Sequence, residues 1–470
     1  MKLSKTEWLA FFIVVLIFIL VQAKGLFHIA PGDENVYYYM AKSVGEGQFP
    51  YRDFFYAHPP MHVLILSAII KIFGVNFTVL KSTTLIALLT SSFFLYKTSL
   101  ALFRNQLNDR HAYITSLLAL ILFLFSFEVM FKATFSMGIN FSLMFLVMSF
   151  YFIFTSRYFI GGIFAGLAGL TRFYALAPLL IVFIFVLVKK IQAKKIKDFL
   201  HMTAGFLMTF GVAIILLMIF FGQHFIDMVF RYHLLKLKLP NQRTIVYKNV
   251  LEEDWIIILA FSLSAFIKNK NKFQLFFFVV FGYLLFLLSL NVPAEFYFSI
   301  GLPFMAIIGS YSLVDLIRKI NIKSIRYSIV LLLSLIFLWN TTADVMFLEK
   351  IGFLGFSPLN QLASAVSPTK SNQKLFGDDS IVPLLALIAN KSIALNYIDS
   401  NEMRFTSGMT NFYLFKEELD SVNLSYIIFR RNKGLHQISQ FRQYAAARCS
   451  LENVYSDIAE GDFLVYQCIK

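Results

Sequence analysis

The sequence predicts a polytopic α-helical membrane protein of about eleven transmembrane helices, followed by a small C-terminal α/β domain. Hydrophobic residues make up 58% of the 470 residues and charged residues only 15%, which is more apolar than a soluble core requires. Apolar runs of the length that crosses a bilayer recur from Trp8 to about Thr342. Beyond that point the apolar runs shorten and Gly, Asp, Asn and Ser return, as in a soluble domain.

Eleven apolar segments are predicted to span the membrane, and they cover residues 8–23, 77–103, 112–127, 137–154, 158–171, 174–188, 199–221, 254–267, 273–290, 296–317 and 325–342. The first has the charged start of a signal peptide, but no small-residue cleavage site follows it, so we predict a retained span. The fifth contains four glycines and is predicted to pack closely against its neighbours.

The basic residues predict the orientation. With eleven spans and a cytoplasmic N-terminus, the dense basic loops at residues 189–197 and 268–272 lie inside, as the positive-inside rule expects. Counting residues 61–73 as a twelfth span would place these loops outside. That segment is short and carries His62 and Lys71, so we predict a helix in the membrane interface. The net charge of +15 is therefore explained without nucleic-acid binding.

The predicted organisation is a transmembrane domain over residues 1–343, with a first outer loop at 24–76, and an extracytoplasmic domain over 344–470 of a multi-pass cell-membrane protein. In the tail, residues 374–376, 393–396, 426–429 and 463–468 are predicted as strands, and 383–389 and 435–446 as helices. Cys449 and Cys468 have no metal-ligand spacing and can form one disulfide if the tail lies outside.

Two adjacent carboxylates, Asp33 and Glu34, stand near the outer end of the first span, where they are costly unless they are solvated or used. One interpretation is that one of them is a general base, which takes a proton from an acceptor hydroxyl as that hydroxyl attacks the anomeric carbon of a lipid-linked sugar. The other interpretation is a helix N-terminus, in which Asp33 caps a helix that begins near Asn35 and Glu34 favours the positive end of its dipole. The two interpretations are compatible.

Basic residues on the predicted outer side are candidates for binding a donor phosphate. Arg172 lies in a tight turn between the fifth and sixth spans, and the long outer loop 222–253 contains Arg231, Lys236 and Arg243. A basic outer loop opposes the positive-inside tendency, and binding an anionic lipid head group would account for it. The alternative is a solvated surface that touches ordinary membrane lipids.

Further polar residues in the outer turns are candidates for the substrate pocket. Glu128 has three alternatives: it orients the base, it binds a divalent cation together with Asp33, or it pairs with Lys132. Glu295 and Tyr297 are candidates for lining the sugar pocket, although an interfacial tyrosine is common in membrane proteins. No glycine-rich nucleotide-binding motif is present, which argues against a soluble nucleotide-sugar donor.

The first loop resembles that of the GT-C membrane glycosyltransferases, closest to the protein O-mannosyltransferase and aminoarabinose transferase branch. The resemblance rests on motifs in a fixed order, namely Asp33-Glu34, Tyr37, Ala41, Gly47, Pro50-Tyr51, Asp53, His58-Pro59-Pro60 and Phe73-Gly74. It implies a polyprenyl- or dolichyl-phosphate sugar donor, with Asp33 as the base, Glu34 assisting in acceptor or sugar binding, and Arg172 near the donor phosphate. Family members often carry an Asp in the second outer loop, whereas residues 132–140 contain none.

Two other function classes compete with this hypothesis. A transporter or flippase of lipid-linked saccharides predicts ionisable residues in mid-span and repeated halves, and the sequence shows neither. A polysaccharide polymerase or ligase would place its essential residues in a large late outer loop, and residues 222–253 leave that alternative open. The sequence does not distinguish a protein, a lipid or a growing glycan as the acceptor.

Overall fold

The computed structural model describes residues 5–236, 241–267, 273–367 and 373–468, and these residues are mostly helical. The helices are α1 Lys5–Phe27, α2 Asp33–Gly45, α3 Met61–Phe73, α4 Phe77–Arg104, α5 Asp109–Leu124, α6 Phe127–Lys132, α7 Ile139–Phe154, α8 Tyr158–Thr171, α9 Leu176–Gln192, α10 Ile196–Phe206, α11 Val212–Ile226, α12 Tyr232–Leu235, α13 Gln242–Glu253, α14 Trp255–Ser262, α15 Gln274–Ser289, α16 Leu302–Arg318, α17 Lys323–Phe347, α18 Leu359–Val366, α19 Val382–Ile388, α20 Met403–Thr406, α21 Phe412–Asp420 and α22 Ser439–Arg448. The predicted inner lysine cluster at residues 268–272 lies outside the described residues.

Each predicted span falls largely on helix. Among the described residues, five stretches are long and apolar enough to cross a membrane: Lys5–Phe27, Phe77–Arg104, Phe173–Gln192, Ile196–Leu235 and Lys323–Gly352. Shorter apolar helices follow the predicted spans elsewhere, as α7, α8 and α15 do. The multi-pass helical fold is confirmed, whereas the number of eleven spans and their orientation remain predictions.

The chain divides into two compact units. The first, called here the helical unit, comprises Met1–Leu26, Lys81–Leu216 and Leu239–Gly352. The second, called the mixed unit, comprises Phe27–Leu80, Leu217–Lys238 and Phe353–Lys470. The first outer loop therefore belongs to the same unit as the C-terminal domain, a grouping that the sequence does not predict.

Close packing of α8 is visible in the helical unit. A Cβ added to Gly162 would lie 2.0 Å from the carbonyl oxygen of Met202, and one added to Gly205 would lie 2.2 Å from that of Phe159. Since no real Cβ tolerates such a distance, α8 and α10 approach this closely only because both positions are glycine. The predicted close packing of the glycine-rich span is confirmed.

A five-stranded sheet with the order β2-β1-β3-β5-β4 forms the C-terminal part of the mixed unit. Its strands are β1 Lys374–Gly377, β2 Ser392–Ile393, β3 Leu424–Arg430, β4 Ser450–Asp457 and β5 Gly461–Gln467. β1 pairs in parallel with both β2 and β3, whereas β5 runs antiparallel to β3 and to β4. The sequence leaves open whether Cys449 and Cys468 form a disulfide, and in the structure they do.

The tail differs from the sequence prediction in three places. The strand predicted at 393–396 ends at Ile393 and continues as the 3-10 turn Ala394–Asn396. The helix predicted at 435–446 is divided into the 3-10 turn Gly434–Gln437 and α22. Strand β4 is not predicted, because most of its side chains are exposed and it therefore lacks an apolar face.

The first loop is built around α2 and α3. Helix α2 begins at Asp33 itself and its N-cap is Gly32, so the prediction that Asp33 caps a helix starting near Asn35 is wrong. The start is set instead by the Asn35 side chain, whose amide donates to the carbonyl oxygens of Ala30 and Gly32 at 2.9 and 3.2 Å. The predicted segment 61–73 is a helix of 13 residues, about 20 Å long and so shorter than the hydrocarbon core.

Candidate active site

The two adjacent carboxylates of the first loop have different environments. Asp33 is exposed at the first position of α2, whereas Glu34 is buried at 3% exposure. The Tyr38 hydroxyl, one turn further along α2, donates to Glu34 Oε2 at 3.4 Å. Both lie in the first turn of α2, at the positive end of the helix dipole. Asp33 is thus the carboxylate that a molecule outside the chain can reach.

One carboxylate of the C-terminal domain, Asp379, lies near Asp33 and is itself surrounded by further carboxylates. Asp379 follows strand β1 and interacts electrostatically with Asp33, within the mixed unit. Burial raises the pKa of Asp379 well above its usual range, and the charges of nearby carboxylates raise it further: Asp378, Asp399, Asp33 and Glu402. Asp379 therefore keeps its proton at a pH where an ordinary aspartate is ionised, which limits repulsion against Asp33.

The histidines and basic residues of the mixed unit lie on two segments that meet. The His233 Nε2 atom is 2.8 Å from the carbonyl oxygen of Ala57, and the His233 ring centroid lies 5.6 Å from that of His58. Arg231 is exposed and forms an ion pair with Asp227 at 3.6 Å. Lys236 Nζ lies over the Tyr232 ring at 4.8 Å from its centroid. The structure therefore brings the predicted residues His58, Arg231 and Lys236 to one region of this unit.

A cavity of about 210 Å³, open to solvent, lies in the same unit. It is lined by Phe55, His224, Asp227, Met228, Arg404, Met409 and Thr410. The Arg404 guanidinium is stacked between two rings, 4.2 Å from the Phe55 centroid and 3.8 Å from that of Tyr397. Its Nη1 donates to the carbonyl oxygen of Asp399 at 2.6 Å, and its buried Nε has no hydrogen-bond partner among the described residues.

In the helical unit, Arg172 is buried at 3% exposure just after α8. Its guanidinium Nη2 donates to the carbonyl oxygen of Met137, in the outer turn that precedes α7. Two residues later, the Tyr174 hydroxyl donates to the Tyr297 hydroxyl at 2.9 Å, and the two rings lie 4.2 Å apart. The Tyr283 hydroxyl donates to the Tyr297 carbonyl at 2.7 Å. Arg172 and Tyr297, far apart in sequence, thus belong to one polar centre.

Glu128 lies in the same unit on the short helix α6, buried at 2% exposure. Burial raises the pKa of Glu128 to about 8. The charge of Lys132 acts in the opposite direction, but these two described side chains form no ion pair within 4 Å. Lys132 Nζ lies instead over the ring of Phe131 at 4.0 Å. The predicted pairing of Glu128 with Lys132 is therefore limited to a longer-range attraction.

Asp254 holds α6 in place. Its Oδ1 accepts the backbone N–H of Phe127 at 2.7 Å, which is the first residue of α6. A carboxylate at this position satisfies a free N–H group at the helix N-terminus and favours the positive end of the dipole. Asp254 therefore positions the helix that carries Glu128, a contact between residues 127 positions apart that sequence reasoning missed.

The remaining predicted residues have structural partners. Glu295 Oε1 accepts a hydrogen bond from the Asn249 side-chain amide at 3.1 Å, and the negative charge of Glu295 raises the pKa of Glu128. Arg243 donates from Nε and Nη2 to the carbonyl oxygen of Leu290, at 3.0 and 2.5 Å, and so caps the C-terminal end of α15. Arg172, Glu128, Lys132, Glu295, Tyr297 and Arg243 are all in the helical unit, whereas Asp33, Glu34, His58, Arg231 and Lys236 are in the mixed unit.

Comparisons with known proteins identify the fold. Residues 57–220 match the family model of dolichyl-phosphate-mannose-protein mannosyltransferases. This match spans about a third of the chain and begins after Asp33 and Glu34. No curated protein matches the sequence.

Solved structures match nearly the whole chain. ArnT from Cupriavidus metallidurans bound to undecaprenyl phosphate superposes with a TM-score of 0.67 at 11% identity, over 98% of this chain and 98% of that chain. The chain has the GT-C fold. The apo oligosaccharyltransferase of Archaeoglobus fulgidus matches with a TM-score of 0.59 at 11% identity, over 99% of this chain and 74% of that one. AglB from Archaeoglobus fulgidus with an inhibitory peptide and a dolichol-phosphate matches with a TM-score of 0.56 at 12% identity, over 99% and 75%.

A divalent cation is a possible cofactor of this chain. Within the ranges that the structure describes, no three His, Cys, Asp or Glu side chains come together in a way that would hold a metal ion. The predicted cation ligands Asp33 and Glu128 belong to different units. The possible divalent cation therefore stays a prediction, and no step below depends on it.

The carboxylates Asp378, Asp379, Asp399 and Glu402 and the guanidinium of Arg404 were not predicted as site residues. They lie more than 300 positions after Asp33, and no local pattern connects them to it. One signal was available, since Asp378 and Asp379 follow the predicted strand 374–376 after a single glycine, and in the structure this strand pairs in parallel with its neighbours. Ligand sites in α/β sheets gather at the carboxyl ends of such strands.

Proposed function

We propose that the chain is an inverting glycosyltransferase that moves a hexosyl or pentosyl group from a polyprenyl- or dolichyl-phosphate carrier to an acceptor at the outer face of the cell membrane. The observation that carries this proposal is the exposed Asp33 at the N-terminus of α2, with Glu34 buried behind it, in a chain with the GT-C fold. The acceptor is a protein, a lipid or a glycan. Membrane lipids surround the transmembrane helices.

Asp33 is the general base of the proposed reaction. Its carboxylate takes the proton of the acceptor hydroxyl while that oxygen forms a bond to the anomeric carbon. The bond between the anomeric carbon and the carrier phosphate breaks on the opposite face, and the phosphate leaves with the electron pair. Attack and departure on opposite faces invert the configuration without a covalent intermediate. Glu34, which is buried and accepts a hydrogen bond from the Tyr38 hydroxyl, is proposed to assist acceptor or sugar binding indirectly, from behind Asp33.

Positive charge stabilises the leaving phosphate. Arg231 is exposed and Lys236 is partly exposed, so both are accessible to a lipid phosphate. Arg172 is buried and donates to the carbonyl oxygen of Met137, and Arg243 caps the C-terminal end of α15. Fewer of their guanidinium N–H groups are therefore available to bind a phosphate. Two solved structures with this fold, ArnT and AglB, contain undecaprenyl phosphate and a dolichol-phosphate, which supports such a donor. The substrate-binding roles of His58 in the mixed unit, and of Glu128, Lys132, Glu295 and Tyr297 in the helical unit, stay predictions.

The proposal requires Asp33 and the C-terminal domain to face the extracytoplasmic side. Two independent features support this orientation. The dense basic loop at residues 189–197 is then cytoplasmic, as the positive-inside rule expects. The disulfide between Cys449 and Cys468 is of a kind that persists in oxidising compartments.

The test is transfer of labelled sugar from polyprenyl-phosphate donors to endogenous acceptors in membranes, with wild type and Asp33→Asn at matched expression. We expect Asp33→Asn to lose transfer by about 10²- to 10⁴-fold, the contribution of a general base, with donor binding retained. The matched control is Glu46→Gln at the C-terminal end of α2, an exposed carboxylate that pairs with Lys42 at 3.7 Å and should leave transfer nearly unchanged.

Two results would contradict the proposal. Equal transfer by Asp33→Asn and wild type would remove the base from this position. Absence of transfer by the wild-type protein across hexosyl and pentosyl donors, together with movement of lipid-linked sugar between membrane leaflets, would favour a transporter.

A further inference from the structure

The turn between β1 and α19, residues 377–380, is fixed on both sides by hydrogen bonds. The Asp378 N–H donates to the carbonyl oxygen of Ile428 at 2.8 Å, which ties the turn to β3. The Asp378 Oδ1 accepts the backbone N–H of Ser380 at 3.0 Å and also the Ser380 hydroxyl. Gly377 has a φ of +142°, and an added Cβ would lie 1.9 Å from the Ile428 carbonyl oxygen, so the turn has no freedom to move toward β3.

This turn contacts the chain directly before Asp33. The Gly32 N–H donates to the carbonyl oxygen of Ser380 at 2.9 Å. Gly32 is the N-cap residue of α2, and Asp33 is the first residue of that helix. The position of Ser380 therefore determines where the backbone at the start of α2 lies, and with it the position of the Asp33 carboxylate.

Two further contacts hold α2 against the same part of the C-terminal domain. The Tyr39 hydroxyl donates to the carbonyl oxygen of Lys391 at 3.3 Å and accepts the backbone N–H of Ile393 at 3.2 Å. Lys42 Nζ donates to Asn390 Oδ1 at 3.0 Å. Contacts at positions 32, 39 and 42 hold α2 along its length. Because the contact at position 32 is made with the turn itself, a shift of the turn would move the N-terminal end of α2 most.

We propose that Asp378 is a positioning residue for the base, Asp33. Asp378 fixes Ser380, and the Ser380 carbonyl accepts the N–H of Gly32 at the N-terminus of α2. The C-terminal domain therefore contributes to the geometry of the active site. This inference rests on the proposed function of Asp33. Asp378 is buried and acts on Asp33 through Ser380, while its other carboxylate oxygen, Oδ2, lies 3.7 Å from Arg430 Nε. Misplacement of a catalytic group by about 1 Å costs on the order of 100-fold in rate.

The first experiment compares the kinetics of three variants in reconstituted membranes. Asp378→Ala removes the acceptor for both Ser380 donors and is expected to lower kcat about 10- to 100-fold with the KM for the polyprenyl-phosphate donor unchanged. Asp378→Asn keeps Oδ1 as an acceptor and is expected to restore most of kcat. Asp420→Ala is the control, because it breaks ion pairs with Lys416 and Arg448 in the same domain, away from the turn.

The second experiment measures the contact without any activity. Amide hydrogen exchange of peptides that contain Gly32 should be slow in wild type, Asp378→Asn and Asp420→Ala, and much faster in Asp378→Ala. Exchange elsewhere in the domain should stay slow in all four, which shows that the domain remains folded.

The outcomes separate the inference from the function on which it rests. A Gly32 amide that is unprotected in wild type, or full kcat in Asp378→Ala while Asp33→Asn is inactive, overturns the positioning role alone. Equal losses of kcat in Asp378→Ala and Asp378→Asn also overturn it. An active Asp33→Asn overturns the proposed function and the role of Asp378 together.

Discussion

Replacing Glu128 by glutamine tests the electrostatics of the helical unit. Glu128 is buried, and its pKa is raised to about 8, first by burial and then by the charges of Asp254, Glu253 and Glu295. In an unfolded chain the same carboxyl ionises near its usual value of about 4.3. The folded state therefore binds one more proton than the unfolded state between these two values. Stability must fall as the pH rises through this window and level off above pH 8.

The size of the stability loss follows from the difference between the pKa values of Glu128 in the folded and unfolded chain. Each pH unit in the window costs about 1.4 kcal/mol, so Glu128 alone should account for roughly 3 kcal/mol of the unfolding free energy that wild type loses between pH 6 and pH 9. Glutamine has nearly the same volume and no charge. Glu128→Gln should therefore lack this part of the decline and should be more stable than wild type at pH 9.

Thermal unfolding in detergent, followed by tryptophan fluorescence, measures the difference. Trp255 is a suitable reporter because it follows Asp254 directly and its indole donates to Asn340 Oδ1 at 2.7 Å. The control is Glu252→Gln, an exposed carboxylate paired with Lys248 at 3.6 Å, which should keep the wild-type pH dependence. If Glu128→Gln declines between pH 6 and pH 9 as steeply as wild type, the assignment of the buried charge to Glu128 is refuted.

Two further predictions concern packing and covalent structure. Gly162→Ala places a methyl group against the Met202 carbonyl and should lower the unfolding free energy by about 1–3 kcal/mol. The control Gly211→Ala meets only the Leu207 side chain at 3.4 Å and should be tolerated. Equal apparent Tm values of the two variants in detergent would contradict this prediction. Cys468→Ser opens a disulfide with a sequence separation of 19 and should cost the C-terminal domain about 3 kcal/mol, seen as a lower urea midpoint for protease resistance; an unchanged midpoint would show that the disulfide does not stabilise the domain.

The helical framework could be predicted because hydropathy is a property of whole segments. Residues 158–171 are one example, where the predicted span and helix α8 have the same bounds. Apolar length and charged flanks suffice for such a segment, and neither depends on partners far away in the chain. Helix ends are less predictable: α2 starts at Asp33 because the Asn35 side chain bonds to two carbonyl groups before it, a local detail that competes with the capping preference of Asp.

The candidate site could be predicted only in part. The sequence identifies Asp33 and Glu34 as a pair, but which one is exposed depends on how α2 packs, and this decides which can meet a substrate. Asp379 and Arg404 could not be connected to the first loop, because the contacts that join them are formed by tertiary packing across more than 300 residues.

Helix α17 has no buried residue along its whole length from Lys323 to Phe347, and Trp339 is 82% exposed. Its contacts with the rest of the described chain are few, and the most specific is the hydrogen bond from Trp255 to Asn340. In a bilayer almost every side chain of α17 would meet lipid, for which one large apolar residue is nearly as good as another. Most of this helix should therefore accept any apolar sequence of the same length. The thickness of the membrane sets the length of residues 323–338, and their side chains should contribute little to the reaction.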